Sequence, residues 1–150
     1  MRFTLLLIAV CTFMSFKIGD PPDLNRTIAD DLDFLVNFYQ TRHANPEISL
    51  EEKETAAVLA EELKNIGFEV TENFGGYGVV GIFKNGEGPT ILYRTDMDAL
   101  PMYEKTGLEY SSKLTTQYSG EEVGTMHSCG HDVHMTTWLG TARALVKMKE

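Results

Sequence analysis

The sequence predicts an α/β domain, and three observations carry that prediction. Two apolar patterns at helical spacing open the folded part. Short alternating segments separated by glycine-rich turns fill the middle, and a third helical pattern closes the chain. The order helix-helix-strand-strand-strand-loop-helix mixes both periodicities within one domain-sized length, which is the α/β pattern. The 150 residues suffice for one domain with a core of its own. A hydrophobic content of 43% and a charged content of 23% are ordinary for a globular chain.

The first helix is read from Ile28, Leu32, Leu35, Val36 and Tyr39, which share one face and are expected to be buried together. It should end by Asn45, because Pro46 disfavours helical geometry in the residue before it. Ser49-Leu50-Glu51-Glu52 has the spacing of a capping box for a second helix. Ala56, Leu59, Ala60, Leu63 and Ile66 give that helix its apolar stripe, and Gly67 ends it. Phe68–Thr71 alternates and reads as a strand. Val79–Phe83 and Thr90–Arg94 read as two more, with Asn85-Gly86 and Gly88-Pro89 supplying turn chemistry between them. Residues 96–125 read as one long irregular loop, a length that in a compact domain points to function. Val133, Trp138, Leu139, Ala142, Leu145 and Val146 fit a third helix over His131–Glu150, with Trp138 in the core.

The N-terminus differs from the rest. Arg2 is followed by a mostly apolar run, Phe3 to Met14, which matches a secretory signal and is too short to span a membrane. Cleavage is expected between Ser15 and Asp20, giving a signal over residues 1–20, a secreted or periplasmic protein, and no membrane attachment once the signal is removed. Cys11 would leave with it, so the mature chain keeps Cys129 alone and forms no internal disulfide. Asn25-Arg26-Thr27 is a glycosylation sequon if the host is a eukaryote. The net charge is −9 with no basic stripe, which argues against a nucleic-acid partner.

Chemistry concentrates in two segments. His127-Ser128-Cys129-Gly130-His131-Asp132-Val133-His134 packs three of the four histidines and the mature cysteine into eight positions. Thiolate and imidazole are the donors that borderline-soft divalent metals prefer. Cys129 and His131 can reach one ion if the backbone turns sharply at Gly130. His131 and His134 would share a helix face, and Asp132 could brace an imidazole. An inert, hydrogen-bonded loop is the plain alternative. The second segment, Arg94-Thr95-Asp96-Met97-Asp98-Ala99-Leu100-Pro101, follows a predicted strand, where α/β sheets usually place their sites. An ordinary acidic turn is the alternative there.

Together with His43-Ala44-Asn45-Pro46-Glu47 and Gly67-Phe68-Glu69-Val70, these segments resemble the amidohydrolase branch of the M20 metallopeptidases, whose members hydrolyse N-acyl amino acids, hippurate and indole-acetyl amino acid conjugates. The match covers about residues 30 to 150, in the family's order. The resemblance implies a partial three-layer α/β/α catalytic domain of the zinc-peptidase kind over residues 21–150. It implies two divalent metal ions (zinc, manganese, cobalt or nickel), with Cys129 and His131 among their ligands. Asp96 stands where other branches carry an acid supporting a metal-bound histidine, and Arg94 stands in place of that histidine. Asp132 and His134 would support rather than ligate. The branch more often has glycine where Val133 stands.

The family's Glu-Glu pair, general base and ligand, is expected past this motif and so beyond Glu150. The same holds for further histidine ligands and a smaller dimerisation domain, which would make the whole protein a homodimer. The chain therefore reads as the N-terminal part of such an enzyme, with no general base of its own. Glu121-Glu122 precedes the metal motif and reads as a solvated loop. Two other functions compete: a thiol hydrolase using Cys129, which the two-residue spacing to His131 disfavours, and an inactive metal-binding or assembly module.

Overall fold

A computed structural model describes residues 23–149. The readings made for residues 1–22, including the signal segment and Cys11, lie outside the described residues, as does Glu150. Three helices are present, α1 (Leu24–Ala44), α2 (Lys53–Asn65) and α3 (His131–Lys147). They accompany four short strands, β1 (Glu69–Thr71), β2 (Val80–Ile82), β3 (Thr115–Tyr118) and β4 (Glu121–Gly124). Strands β1 and β2 form one antiparallel pair with Val70 opposite Gly81, and β3 and β4 form another with Thr116 opposite Val123. Among the described residues no helix is long and apolar enough to cross a membrane.

The core sits between α1, α2 and α3. Phe38, Leu59, Met135 and Leu139 are its buried centre, flanked by Phe34, Val58, Met97 and Trp138. Gly140 brings the two long helices close, with Leu35 Cδ1 only 3.0 Å from where a Cβ would stand. Trp138 is half-buried and donates its indole N–H to the Tyr93 carbonyl at 3.1 Å.

Helix faces differ from the sequence reading in two places. In α1 the buried residues are Thr27, Asp31, Phe38, Arg42 and His43. Ile28, Leu32 and Val36, expected inside, are 48%, 53% and 44% exposed. The inward face carries Phe34 and Phe38 together with an ion pair: Asp31 accepts hydrogen bonds from Arg143 and Lys147 of α3, both at 2.7 Å. In α3 the inward residues are Asp132, Met135, Leu139 and Ala142, and Val133 and Leu145 are exposed.

The capping box is also corrected. Ser49 does not cap α2. Its first turn is closed by Glu47, whose two carboxylate oxygens accept the N–H groups of Glu54 (3.0 Å) and Thr55 (2.7 Å). Gly67 ends α2 as expected, at φ +95°.

The expected strand at Thr90–Arg94 is not a strand. A strand needs a partner for its backbone groups, and among the described residues none pairs with this segment. Ile91 and Leu92 are 86% and 90% exposed. The described residues mix helices and strands as an α/β reading requires, and their strands form two separate antiparallel pairs, a part of the expected layered domain. The loop expected over residues 96–125 contains the β3–β4 hairpin, and Glu121-Glu122 lies in β4, exposed, rather than in a loop.

Candidate metal centre

Backbone pairing draws three distant segments to one place. The Ala99 N–H donates to the Glu47 carbonyl at 2.7 Å. Leu100 and Met126 exchange both backbone hydrogen bonds, at 2.9 and 3.0 Å. The turn after α1, the acidic segment around Asp98 and the cysteine–histidine loop are thereby stitched together.

Gly130 makes the turn that separates Cys129 from His131. Its φ of +80° lies in the left-handed region, which a residue with a Cβ enters only at a cost, and it caps the start of α3. Cys129 is exposed on the loop before it. His131 is the first residue of α3 and half-buried. His131 Nδ1 lies 2.8 Å from the Asp98 carbonyl oxygen and 3.1 Å from Asp98 Oδ1. Both are acceptors, so Nδ1 carries the proton and Nε2 presents its lone pair, which is the tautomer a metal ligand needs.

The other expected site residues fall as follows. His134 is exposed one helical turn along, its ring centroid 5.7 Å from that of His131. Asp96 does not meet a histidine; it pairs with Arg94 at 3.5 Å on the surface. The carboxylate that braces His131 is Asp98, two residues on, whose placement depends on the Ala99–Glu47 and Leu100–Met126 bonds rather than on any local signal. Asp132 does meet an imidazole, but that of His43, at 2.7 Å.

Two residues of this neighbourhood have no individual role in the sequence reading, His127 entering it only as a member of the histidine cluster. His127 is buried at 5% exposure, and neither ring nitrogen has a hydrogen-bond partner among the described residues. Burial holds it neutral, its pKa pushed down to about 4. Glu104 is buried against His43 Nε2 at 3.0 Å, with a side chain 0% exposed. Its signal was faint, one carboxylate in a stretch read as loop.

The donor chemistry of Cys129 and a correctly tautomeric His131 fits a divalent metal, and these are the residues that could hold one. Two donors do not close a coordination sphere. Among the described residues no group of three or more His, Cys, Asp or Glu side chains is arranged to hold an ion.

Residues 92–150 match the model of the group described as Peptidase family M20/M25/M40. Thermostable carboxypeptidase 2 of Saccharolobus solfataricus is 38% identical over 129 residues, 85% of this chain and 31% of that protein. Hippurate hydrolase of Campylobacter jejuni is 42% identical over 122 residues, 79% of this chain and 30% of that protein. Among solved structures, a dinuclear metal-binding M20 peptidase of Bacillus subtilis matches with a TM-score of 0.67 and 32% identity, over 83% of this chain and 32% of its own. The chain thus spans about a third of the length of these relatives. The cysteine–histidine loop and the acidic segment both lie inside the matched region, and over residues 92–150 the chain is similar to peptidase family M20/M25/M40.

Proposed function

We propose that this chain contributes Cys129 and His131 to a centre of two divalent metal ions in a hydrolase of amide bonds, acting on N-acyl amino acids or small peptides. The observation that carries the reading is His131, whose Nδ1 is tied to Asp98 while Nε2 stays free, one left-handed glycine from an exposed thiol. The printed names of the relatives agree in chemistry: a carboxypeptidase and a hippurate hydrolase both cleave amide bonds. When bound, divalent ions would supply Lewis acidity to polarise an amide carbonyl and ease the ionisation of water.

The chain's own residues prepare the site. Asp98 fixes the His131 tautomer and ring direction. Gly130 sets the angle between the thiol and the helix. His134 lies beside the His131 ring without a contact that would make it the primary donor. Asp96 remains a surface partner of Arg94. No carboxylate described here is assigned the role of general base. The N-terminal apolar run supports export, and N-terminal sequencing of the mature protein from a secretion host should find residues 1–20 removed.

The test is a metal titration of the purified chain followed by elemental analysis. Stoichiometric zinc, cobalt, manganese or nickel that is lost on Cys129→Ala with His131→Ala supports the reading. Equal retention by the double variant overturns it. A second reading, a metal-binding or assembly module without turnover, is favoured by the incomplete donor set among the described residues. Assay with hippurate and N-acetyl amino acids separates the two. We expect little turnover from this chain alone, and robust chelator-sensitive turnover would show that its own residues complete the centre.

A further inference from the structure

The observation lies behind the metal loop. His43, in the last turn of α1, is buried with both ring nitrogens facing carboxylates: Nδ1 to Asp132 Oδ2 at 2.7 Å and Nε2 to Glu104 Oε1 at 3.0 Å. The side chains of His43, Glu104 and Asp132 are 6%, 0% and 3% exposed. Ionised carboxylates only accept hydrogen bonds, and a neutral imidazole donates only one. Two buried carboxylates on one ring therefore call for a ring with both nitrogens protonated. Each carboxylate is committed elsewhere as well. Asp132 Oδ1 accepts the Val133 N–H at 2.9 Å. Glu104 accepts the Thr106 hydroxyl, and its Oε2 accepts the Ser112 N–H at 2.6 Å. The rings of Tyr39 and Tyr110 lie against the imidazole, with centroids 5.7 and 5.3 Å away.

We propose that His43 is held as an imidazolium that clamps Asp132 to Glu104 and so positions His131 at the start of α3 for metal binding. His43 is a positioning residue, not a ligand. Asp132 follows His131 directly, so the clamp fixes the first turn of α3 from one side while Asp98 holds the His131 ring from the other. Removing the cation leaves two buried carboxylates facing each other, and α3 must shift or admit water. The titratable groups facing His43 are Tyr39 on α1, Glu104 and Tyr110 on the intervening loop, and Asp132 on α3, with His127 of the metal loop near enough to feel its charge. The metal part of the proposal rests on the function proposed above; the imidazolium does not.

Two measurements on the full chain test it. The first is nitrogen-15 NMR of the His43 ring, with His43→Gln used only to assign the signal. We expect both nitrogens to stay protonated at and above pH 6.5, where an ordinary imidazole loses its proton, and the ring of Glu104→Gln to become neutral at lower pH than that of the unsubstituted chain. A single neutral tautomer at pH 6.5 in the unsubstituted chain overturns the imidazolium. The second is a cobalt titration followed by thiolate-to-cobalt absorption. We expect affinity about 10- to 100-fold weaker in Glu104→Gln and in His43→Gln. Cobalt affinity unchanged in Glu104→Gln, with His43 no longer protonated, overturns the positioning role even if His43→Gln fails to fold. If the unsubstituted chain binds no cobalt, the metal-centre reading falls together with the positioning role, and the NMR result alone decides the imidazolium.

Discussion

At the residue scale, the metal loop shows what spacing can and cannot convey. Cys129-Gly130-His131 announces a thiol and an imidazole on either side of a flexible turn, and the turn is there, at φ +80°. Which nitrogen of His131 is free depends on Asp98, 33 positions away, and no periodicity predicts that contact. Asp96 and Asp98 are equivalent in a linear reading. Backbone pairing of Ala99 and Leu100 aims one of them inward and leaves the other beside Arg94. Gly130→Ala should cost about 1–2 kcal/mol from backbone strain alone, because open space surrounds the position. Urea unfolding measures this, and an unchanged midpoint would show that the turn relaxes without cost.

At the element scale, α2 was legible because nothing competes with its hydrophobic stripe: Ala56, Leu59, Ala60 and Leu63 are buried as the pattern requires. The cap was misread because Glu47 reaches it from outside the helix, across a turn that a local motif search does not span. Glu47→Ala should lower stability by about 1 kcal/mol, read in urea unfolding, and Ser49→Ala should not. The face of α1 was misread for a different reason. The aliphatic stripe marks one face in the sequence, but Asp31 is the residue that meets Arg143 and Lys147 across the α1–α3 contact. The hydrogen bond from Arg143, with that from Lys147, outweighs burial and holds the Asp31 carboxyl below its ordinary value. Asp31→Asn should cost about 1.5–3 kcal/mol, since both bases are partly solvated, with thermal unfolding as the measurement. Leu139→Ala, in the centre of the same contact, should cost about 2–5 kcal/mol.

At the scale of the whole molecule, buried charge predicts a pH optimum for stability. For His43, burial favours the neutral ring, but Asp132 and Glu104 outweigh it and raise the pKa above 6.5. That contribution is complete below pH 6.5 and is lost as pH rises through the raised value. For Asp31 the lowered pKa acts in the opposite sense: its contribution is present above the ordinary 3.8 and disappears as pH falls through the lowered value. For Glu104, burial pushes the pKa up, and the hydrogen bonds from Thr106, His43 and Ser112 together bring it below its ordinary 4.5. His127 acts on the acid side: burial pushes its pKa down to about 4, so its contribution is complete above pH 6.5 and is lost as pH falls through that lowered value. Thermal midpoints followed by circular dichroism should therefore be highest near about pH 6.5 and fall on both sides. A midpoint rising steadily to pH 9 would contradict the buried-cation account.

Residues 90–94 carry a consequence of another kind. With Ile91 and Leu92 facing water and no strand partner among the described residues, this stretch is a template onto which another chain can add. Mutual repulsion at a net charge of −9 opposes such growth in dilute buffer, and added salt removes that protection. Turbidity of concentrated samples should thus increase with sodium chloride, and Leu92→Lys, which puts a cation into the template, should keep them clear.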